Sequence, residues 1–143
     1  MLQALGFAPD FYYQTVNLDL NAEWVKTGDA LLPTTRELSA ILDKSDIKVL
    51  VLNGNDDYIV NTPGQKIAYD MLPWSGQLGF RNETWAKWYI ASESPNGQLD
   101  QRKGGEMKEY RKLRFVTVDG AGHASPGDQP ETAWDIVREW IMV

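Results

Sequence analysis

The chain has 143 residues, of which 43% are hydrophobic and 24% are charged, a composition typical of one globular domain. Its net charge of −6 disfavours binding to a polyanion, so we expect no nucleic-acid partner. It contains no cysteine, which excludes thiol catalysis, disulfides and thiolate metal sites, and it has no apolar run of membrane-spanning length, so we expect no membrane association.

The first predicted elements are a helix, a strand and a second helix. PTTRELSAILDK, from Pro33 to Lys44, has apolar residues at helical spacing. IKVLVLNG, from Ile47 to Gly54, is a continuous apolar run that predicts a strand buried on both faces, as in a parallel sheet covered by helices. A helix is predicted to follow, with Thr62 as its N-cap and Pro63 in its first turn.

A hairpin, a second buried strand and a final helix are predicted next. TWAKWYIAS and GEMKEYRKL are read as two antiparallel strands joined by the polar ESPNGQLDQRKG. LRFVTVDG, from Leu113 to Gly120, resembles the first buried strand, and DQPETAWDIVREWIMV predicts a helix capped by Asp128. This order favours an α/β class of parallel strands with flanking helices. Two parallel strands cannot complete a sheet, so we expect an incomplete sheet that belongs to something larger.

Polar loops follow both buried strands. NGNDDYIV supplies the carboxylates of Asp56 and Asp57, and DGAGHASPGD supplies His123, the single histidine of the chain. Functional groups gather beyond the carboxyl ends of parallel strands, and an acid that precedes a histidine matches the order of an α/β-hydrolase triad. The residues alone do not choose between the two aspartates. They also fit a structural interpretation, with His123 as a solvated turn residue and Asp-Asp as a turn or cap.

The two motif regions resemble the C-terminal part of the serine carboxypeptidases, the carboxypeptidase Y and cathepsin A family. VLVLNGNDDYIVNTPGQKIAYDMLPWSGQ is similar to the family's G-D-x-D and L-P-W-S-G region. LRFVTVDGAGHASPGDQPETAWDIVREWI is similar to its G-A-G-H-M-V-P, D-x-P and final helix. With the upstream LQALG, NLDLN and GDALLP, the resemblance covers essentially all of residues 1–143. It implies one C-terminal segment of a carboxypeptidase catalytic domain with the α/β-hydrolase fold.

By this resemblance, Asp57 is the catalytic acid and His123 the base. Asn55 replaces the first Asp of G-D-x-D and leaves the triad acid intact. Ala124 stands where the family often has a Met that walls the substrate pocket, and Val60 stands where some members have Cys. The resemblance therefore implies a substrate-binding role for Ala124 and a roomier pocket or altered side-chain preference.

The sequence has no G-x-S-x-G motif, so the nucleophile of such a triad is missing from it. We expect the chain alone to be inactive, and we expect its partners to be the N-terminal carboxypeptidase portion that carries the serine, and a peptide substrate. In the complete protein the resemblance implies release of C-terminal residues through an acyl-enzyme. No cofactor is expected, and one histidine with scattered carboxylates predicts no metal site.

Two alternatives remain open at the level of sequence. A carboxypeptidase-like acyltransferase or hydroxynitrile lyase would share the triad region, and a non-catalytic module that binds a partner polypeptide would expose apolar surface. The resemblance implies a secreted, vacuolar or lysosomal location, although the first residues do not read as a signal peptide. In that setting the sequon Asn82-Glu83-Thr84 predicts N-glycosylation at Asn82.

Overall fold

The computed structural model describes residues 14–93 and 99–142, together with positions 6, 8 and 12. The chain divides into two compact units, Met1–Thr34 and Thr35–Val143. The first unit contains helix α1 (Leu18–Thr27) and a 3-10 turn (Asp29–Leu31). Helix α1 begins at Asn17, whose Oδ1 accepts a hydrogen bond from the Leu20 N–H at 3.0 Å. None of its residues is buried, and the sequence pattern did not predict this helix.

The second unit carries a mixed sheet with helices on both faces. Its elements in chain order are α2 (Thr35–Lys44), β1 (Val49–Gly54), α3 (Thr62–Asp70), α4 (Gln77–Asn82), β2 (Ala86–Glu93), β3 (Leu99–Tyr110), β4 (Leu113–Val118), α5 (Ser125–Asp128) and α6 (Pro130–Met142). The strand order is β1-β4-β3-β2. Strands β1 and β4 are parallel, whereas β3 is antiparallel to both of its neighbours, β4 and β2. The predicted α/β class is thus confirmed as a mixed α/β fold with an open sheet of four strands.

The two faces of the sheet bury alternate residues of β1 and β4. On one face, Leu113 and Phe115 pack in a cluster with Leu42 of α2 and Phe80 of α4. On the other face, the buried residues of the sheet pack in a second cluster with Ile136 of α6. Because helices cover both faces, β1 and β4 read as continuous apolar runs in the sequence. This confirms the prediction of two parallel strands, of which β4 is mostly buried whereas β1 is half-buried until its last two residues.

The hairpin of β2 and β3 is confirmed, but β3 begins at Leu99, well before the predicted start at Gly105, and β2 ends at Glu93, one residue beyond the predicted Ser92. Half of the polar segment that was expected to connect them is therefore paired, with Glu93 opposite Leu99. Residues 94–98 lie outside the described part. Cross-strand backbone hydrogen bonds do not require apolar side chains. The polar end of the hairpin, called here the polar arm, was therefore not predicted from the hydrophobic pattern. Where the arm meets the core, a bulge at Gly104 accommodates the Trp88 ring.

Two predicted helix caps are wrong. Helix α3 is capped by Asn61, whose Oδ1 accepts from the Gly64 N–H at 2.9 Å, while Thr62 turns inward and is buried. The predicted final helix is α6, which begins at Pro130 after the short helix α5, and the Asp128 carboxylate accepts from the Gly122 N–H at 2.8 Å. The side chains of Thr62 and Asp128 therefore form hydrogen bonds with the segments that precede their helices. Among the described residues, no helix combines the length and apolar character needed to cross a membrane.

Candidate functional site

The loops after β1 and β4 meet because the two strands are parallel neighbours that end at the same level. Gly54 is opposite Val118, the last residue of each strand. Beyond this level, backbone hydrogen bonds of 2.9 Å continue from the Asn55 N–H to Val118 O and from the Asp56 N–H to Ala121 O. The loop that carries the aspartates is thus tied directly to the loop that carries the histidine.

Gly54 allows the close approach of these loops. A Cβ atom at this position would lie 2.3 Å from the carbonyl oxygens of both Ala121 and Gly122. Such distances are far inside van der Waals contact, so any side chain at residue 54 would push the second loop away. The glycine that ends the apolar run is therefore required for the close approach of the two loops.

The structure brings Asp57 to His123. Asp57 Oδ2 lies 2.9 Å from His123 Nδ1, and Asp57 Oδ1 accepts hydrogen bonds of 2.9 Å from the backbone N–H groups of Ile59 and Val60. Asp56 contributes its N–H to the loop contact, and it is an exposed residue. The aspartate that contacts the imidazole is thus Asp57 and not Asp56, a choice that the residues alone left open.

Hydrogen bonding keeps the Asp57 carboxyl ionised. The backbone N–H of Val60 holds the pKa of Asp57 below its ordinary value, and His123 and the Ile59 N–H act in the same direction. Burial of the residue, which is 7% exposed, opposes them but is outweighed. The carboxylate therefore remains a hydrogen-bond acceptor at both oxygens under all but strongly acidic conditions.

An ionised Asp57 determines the tautomer of the neutral imidazole. Because a carboxylate can only accept, the proton of the 2.9 Å contact must reside on His123 Nδ1. Nε2 then carries a lone pair, and in the described part of the chain no hydrogen bond engages it. The His123 side chain is 66% exposed. The arrangement can thus present a proton acceptor to a group that approaches from outside.

A buried polar network holds the loop between β1 and α3, which carries Asp57. Asn53 Nδ2 donates to Val60 O at 3.1 Å and to Thr62 Oγ1 at 2.8 Å, and Thr62 Oγ1 donates to Gly54 O at 2.9 Å. These bonds tie the end of β1 to both ends of the loop and to α3. Sequence reasoning missed this network, since Thr62 was predicted only as a helix cap, although an asparagine inside an apolar strand is a signal of such a role.

A cavity of about 190 Å³ adjoins the pair. It is lined by Leu52, Asn53, Gly54, Asp57, Val60, His123 and Ser125. Val60, which stands where some members of the family have Cys near the site, is among the lining residues. Ala124 is not, although it is exposed next to His123 in the chain. The cavity is therefore bounded by the C-terminal end of β1 and by the two loops.

Two other residues were singled out from the sequence, Asn55 and Asn82. Asn55 Nδ2 donates to Asp119 Oδ1 at 2.5 Å, and Lys103 Nζ lies 3.1 Å from Asp119 Oδ2. Asn55 thus joins the two loops. Asn82 ends α4, and the whole sequon from Asn82 to Thr84 is exposed. Across the described ranges, no three His, Asp or Glu side chains come together as metal ligands.

Comparison with known proteins identifies the family. The family model described as "Serine carboxypeptidase" matches residues 3–143. Carboxypeptidase Y of Candida albicans is 34% identical over 139 residues, and that of Saccharomyces cerevisiae is 30% identical over 139 residues. Each alignment covers 97% of this chain and 24% of the relative, so the chain spans about a quarter of the length of the curated relatives it matches.

A solved structure has a similar fold. The crystal structure of Kex1(delta)p, a prohormone-processing carboxypeptidase from Saccharomyces cerevisiae, superposes with a TM-score of 0.62 at 30% identity. The superposition covers 73% of this chain and 21% of that chain. Sequence and structure comparisons thus agree with the resemblance of the two motif regions, and the chain belongs to the serine carboxypeptidase family.

Proposed function

We propose that residues 1–143 form the C-terminal segment of a serine carboxypeptidase catalytic domain with the α/β-hydrolase fold. In this proposal the complete protein releases C-terminal residues from peptides, with Asp57 as the acid and His123 as the base. The observation that carries the proposal is the 2.9 Å contact between Asp57 Oδ2 and His123 Nδ1, formed by loops at the carboxyl ends of adjacent parallel strands.

The geometry of the pair suits the chemistry of acyl transfer. His123 Nε2 accepts the proton of a serine hydroxyl while the serine oxygen bonds to the scissile carbonyl carbon, and Asp57 stabilises the resulting imidazolium. The imidazolium then returns the proton to the leaving nitrogen as the C–N bond breaks, which leaves an acyl-enzyme. Water attacks that ester with His123 again as base, and the serine hydroxyl is restored.

We propose that the nucleophile comes from a part of the protein outside these residues. The absence of G-x-S-x-G supports this, as does the quarter-length coverage of the relatives. Ser125, the serine nearest to His123 in the sequence, donates its hydroxyl hydrogen to Gly122 O at 3.0 Å and is 4% exposed. Since a base without a nucleophile and oxyanion donors loses most of the rate enhancement, we expect the chain alone to be inactive.

The same proposal names the N-terminal carboxypeptidase portion as the partner of this segment. Among the described residues, β1 has no strand on its outer side, so its edge is open to pairing. Helix α6 also carries exposed apolar side chains outside the sheet cluster: Trp134 is 63% exposed and Ile141 is 74% exposed. An open edge and apolar surface of this kind are expected where a larger sheet and its helices continue.

The proposal also gives the remaining predicted residues their roles. Ala124 would line the pocket for the substrate side chain, where its small size leaves room. The exposed Asn82 would be glycosylated in a secreted, vacuolar or lysosomal protein. No cofactor or metal is required by this chemistry, because the proton transfers use side chains alone.

Turnover by the complete protein tests the proposal. We expect hydrolysis of a blocked dipeptide with a free C-terminal carboxylate, and a loss of at least about 1,000-fold in kcat on His123→Ala. Normal turnover in that variant would reject the catalytic role. Activity restricted to an acyl-glucose ester or a cyanohydrin would instead identify the acyltransferase or lyase alternative, and inactivity of the complete wild type on all three would favour a binding module.

A further inference from the structure

The peptide that precedes His123 is held by two side chains of α5. Asp128 Oδ2 accepts a hydrogen bond from the Gly122 N–H at 2.8 Å, and Ser125 Oγ donates to Gly122 O at 3.0 Å. Neither side chain contacts Asp57 or the imidazole by a described hydrogen bond. Both polar groups of Gly122 are therefore fixed by the helix that follows the histidine.

The histidine needs such support because little else fixes it. Its side chain is 66% exposed, and among the described contacts its one hydrogen bond is that to Asp57. The imidazole projects from a backbone that has a glycine on its N-terminal side, and glycine gains the most conformational freedom when a restraint is removed. A shift of this backbone by about 1 Å would lengthen the 2.9 Å contact beyond hydrogen-bonding distance.

Of the two hydrogen bonds to Gly122, the one that Asp128 accepts is the stronger. A carboxylate that accepts from a backbone N–H forms a charge-assisted bond, whereas Ser125 and Gly122 form a bond between neutral groups. The carboxylate also lies close against the glycine, since a Cβ on Gly122 would be 3.4 Å from Asp128 Oδ2. Loss of this carboxylate is thus expected to free the loop more than loss of the serine hydroxyl.

We infer that Asp128 is a positioning residue for His123, which acts through the Gly122 N–H to hold the imidazole in line with Asp57. The inference rests on the proposed function, in which His123 is the base. Asp128 does not touch the reacting atoms, so its removal is expected to slow the chemical step while the binding of substrate is kept.

Three variants of the complete enzyme test this role. Asp128→Ala is expected to lower kcat by about tenfold or more with KM within about twofold, because misplacement of a catalytic group slows the reaction step. Asp128→Asn keeps an acceptor oxygen and is expected to recover most of the kcat. Asp43→Ala is the matched control, because Asp43 also accepts from a backbone N–H, that of Ser75 at 3.0 Å, away from both loops.

Equal kcat values in Asp128→Ala and Asp43→Ala would overturn the inference, as would a failure of Asp128→Asn to recover more kcat than Asp128→Ala. His123→Ala, assayed in parallel, distinguishes a failure of the proposed function from a failure of the positioning role. If it retains turnover, the proposed function itself fails; if it is inactive while Asp128→Ala matches the control, only the positioning role fails.

A spectroscopic measurement on the complete enzyme gives an independent readout. The imidazole ¹⁵N signals of His123 are identified as those that are absent from the His123→Ala variant. The wild type and Asp43→Ala are expected to show the Nδ1–H tautomer, whereas Asp128→Ala is expected to show a mixture of tautomers. A residue that merely stabilises α5 would lower the melting temperature and leave the tautomer unchanged, and that result would also overturn the inference.

Discussion

At the scale of single residues, the site depends on the ionisation of Asp57. The pKa of this carboxyl is lowered by the Val60 N–H first, and also by His123 and the Ile59 N–H. A folded-state pKa below the unfolded value means that the ionised group stabilises the fold above the unfolded pKa of about 3.9. The stabilisation is lost as the pH falls through the lower, folded-state pKa.

A pH series of urea unfolding checks this behaviour. We expect Asp57→Asn to be less stable than the wild type at pH values above about 4, and the difference in unfolding free energy to shrink as the pH falls below that value. Asp56→Asn is the matched control, since its exposed side chain should give a small difference at every pH. A difference for Asp57→Asn that stays constant or grows on acidification would contradict the account.

Asp57 and His123 could be predicted from the sequence, but the residues that hold them in place could not. Asp57 and His123 follow two recognisable buried strands, and the order of the strands brought their loops together. Asn53 and Thr62 form hydrogen bonds across nine positions of the chain, which no local pattern encodes. Asp128 was predicted as a cap because its spacing to the helix fits, whereas its actual partner is a backbone N–H six residues upstream.

At the scale of elements, the approach of the two strand-end loops is set by Gly54. Substitution Gly54→Ala would place a Cβ 2.3 Å from two backbone oxygens, those of Ala121 and Gly122. Backbone cannot retreat as a flexible side chain can, so we expect a loss of about 2 kcal/mol or more in unfolding free energy, as for other overpacked sites. We also expect loss of the Nδ1–H signal of His123. Circular dichroism melting and ¹⁵N spectra measure the two effects.

Gly127→Ala is the control for that variant. Gly127 lies in α5, and a Cβ there would have its nearest neighbour, the Ala124 Cβ, at 3.9 Å. Because alanine is the better helix former, we expect this variant to be as stable as the wild type or slightly more stable. Equal melting temperatures for the two alanine variants would show that the loops are not in close contact.

The contact between α3 and β3 depends on a buried lysine. Lys108 is 2% exposed, and its Nζ lies 2.6 Å from Asp70 Oδ1 and 4.8 Å from the centre of the Phe80 ring. Lys108→Met keeps the aliphatic packing but leaves Asp70 without this cation, so we expect a loss of about 1–3 kcal/mol in unfolding free energy. Urea denaturation measures it.

The double variant Lys108→Met/Asp70→Leu separates charge from packing. If the loss comes from the unpaired carboxylate, the double variant should recover part of the stability. A double variant as unstable as the sum of its single variants would contradict this explanation. Lys87→Met, at an exposed position of β2, should change stability by less than about 0.5 kcal/mol.

Elements with a long apolar pattern were predictable, whereas short or polar elements were missed, including α4, which places the buried Phe80 in the core. Strands β1 and β4 carry apolar residues on both faces, and α6 was predicted from apolar residues at helical spacing, of which Ala133 is buried but Trp134 and Ile141 are exposed. Helix α1, which the sequence pattern did not predict, buries none of its residues. Helix α5 lies in the segment that follows β4, where Ser125 and Asp128 form hydrogen bonds with Gly122, and the sequence pattern did not predict it.

At the scale of the whole molecule, the described sheet ends at β1 with an open edge. We expect the 143-residue chain alone to show no hydrolysis of a blocked dipeptide above the buffer rate, because it supplies a base and an acid without the serine. Addition of the separately produced N-terminal portion should restore turnover. Measurable hydrolysis by the chain alone, abolished by His123→Ala, would contradict the assignment of the nucleophile to another part of the protein.

The central claim is that Asp57 and His123 act as one catalytic unit, and a double-mutant cycle in the complete enzyme tests it most directly. The kcat for a blocked dipeptide is measured in the wild type, His123→Ala, Asp57→Asn and the double variant. Because Asp57 acts only through the imidazole, the account predicts that the double variant has the kcat of His123→Ala within about threefold. Losses that multiply, with the double variant slower by the full factor of Asp57→Asn, would contradict it.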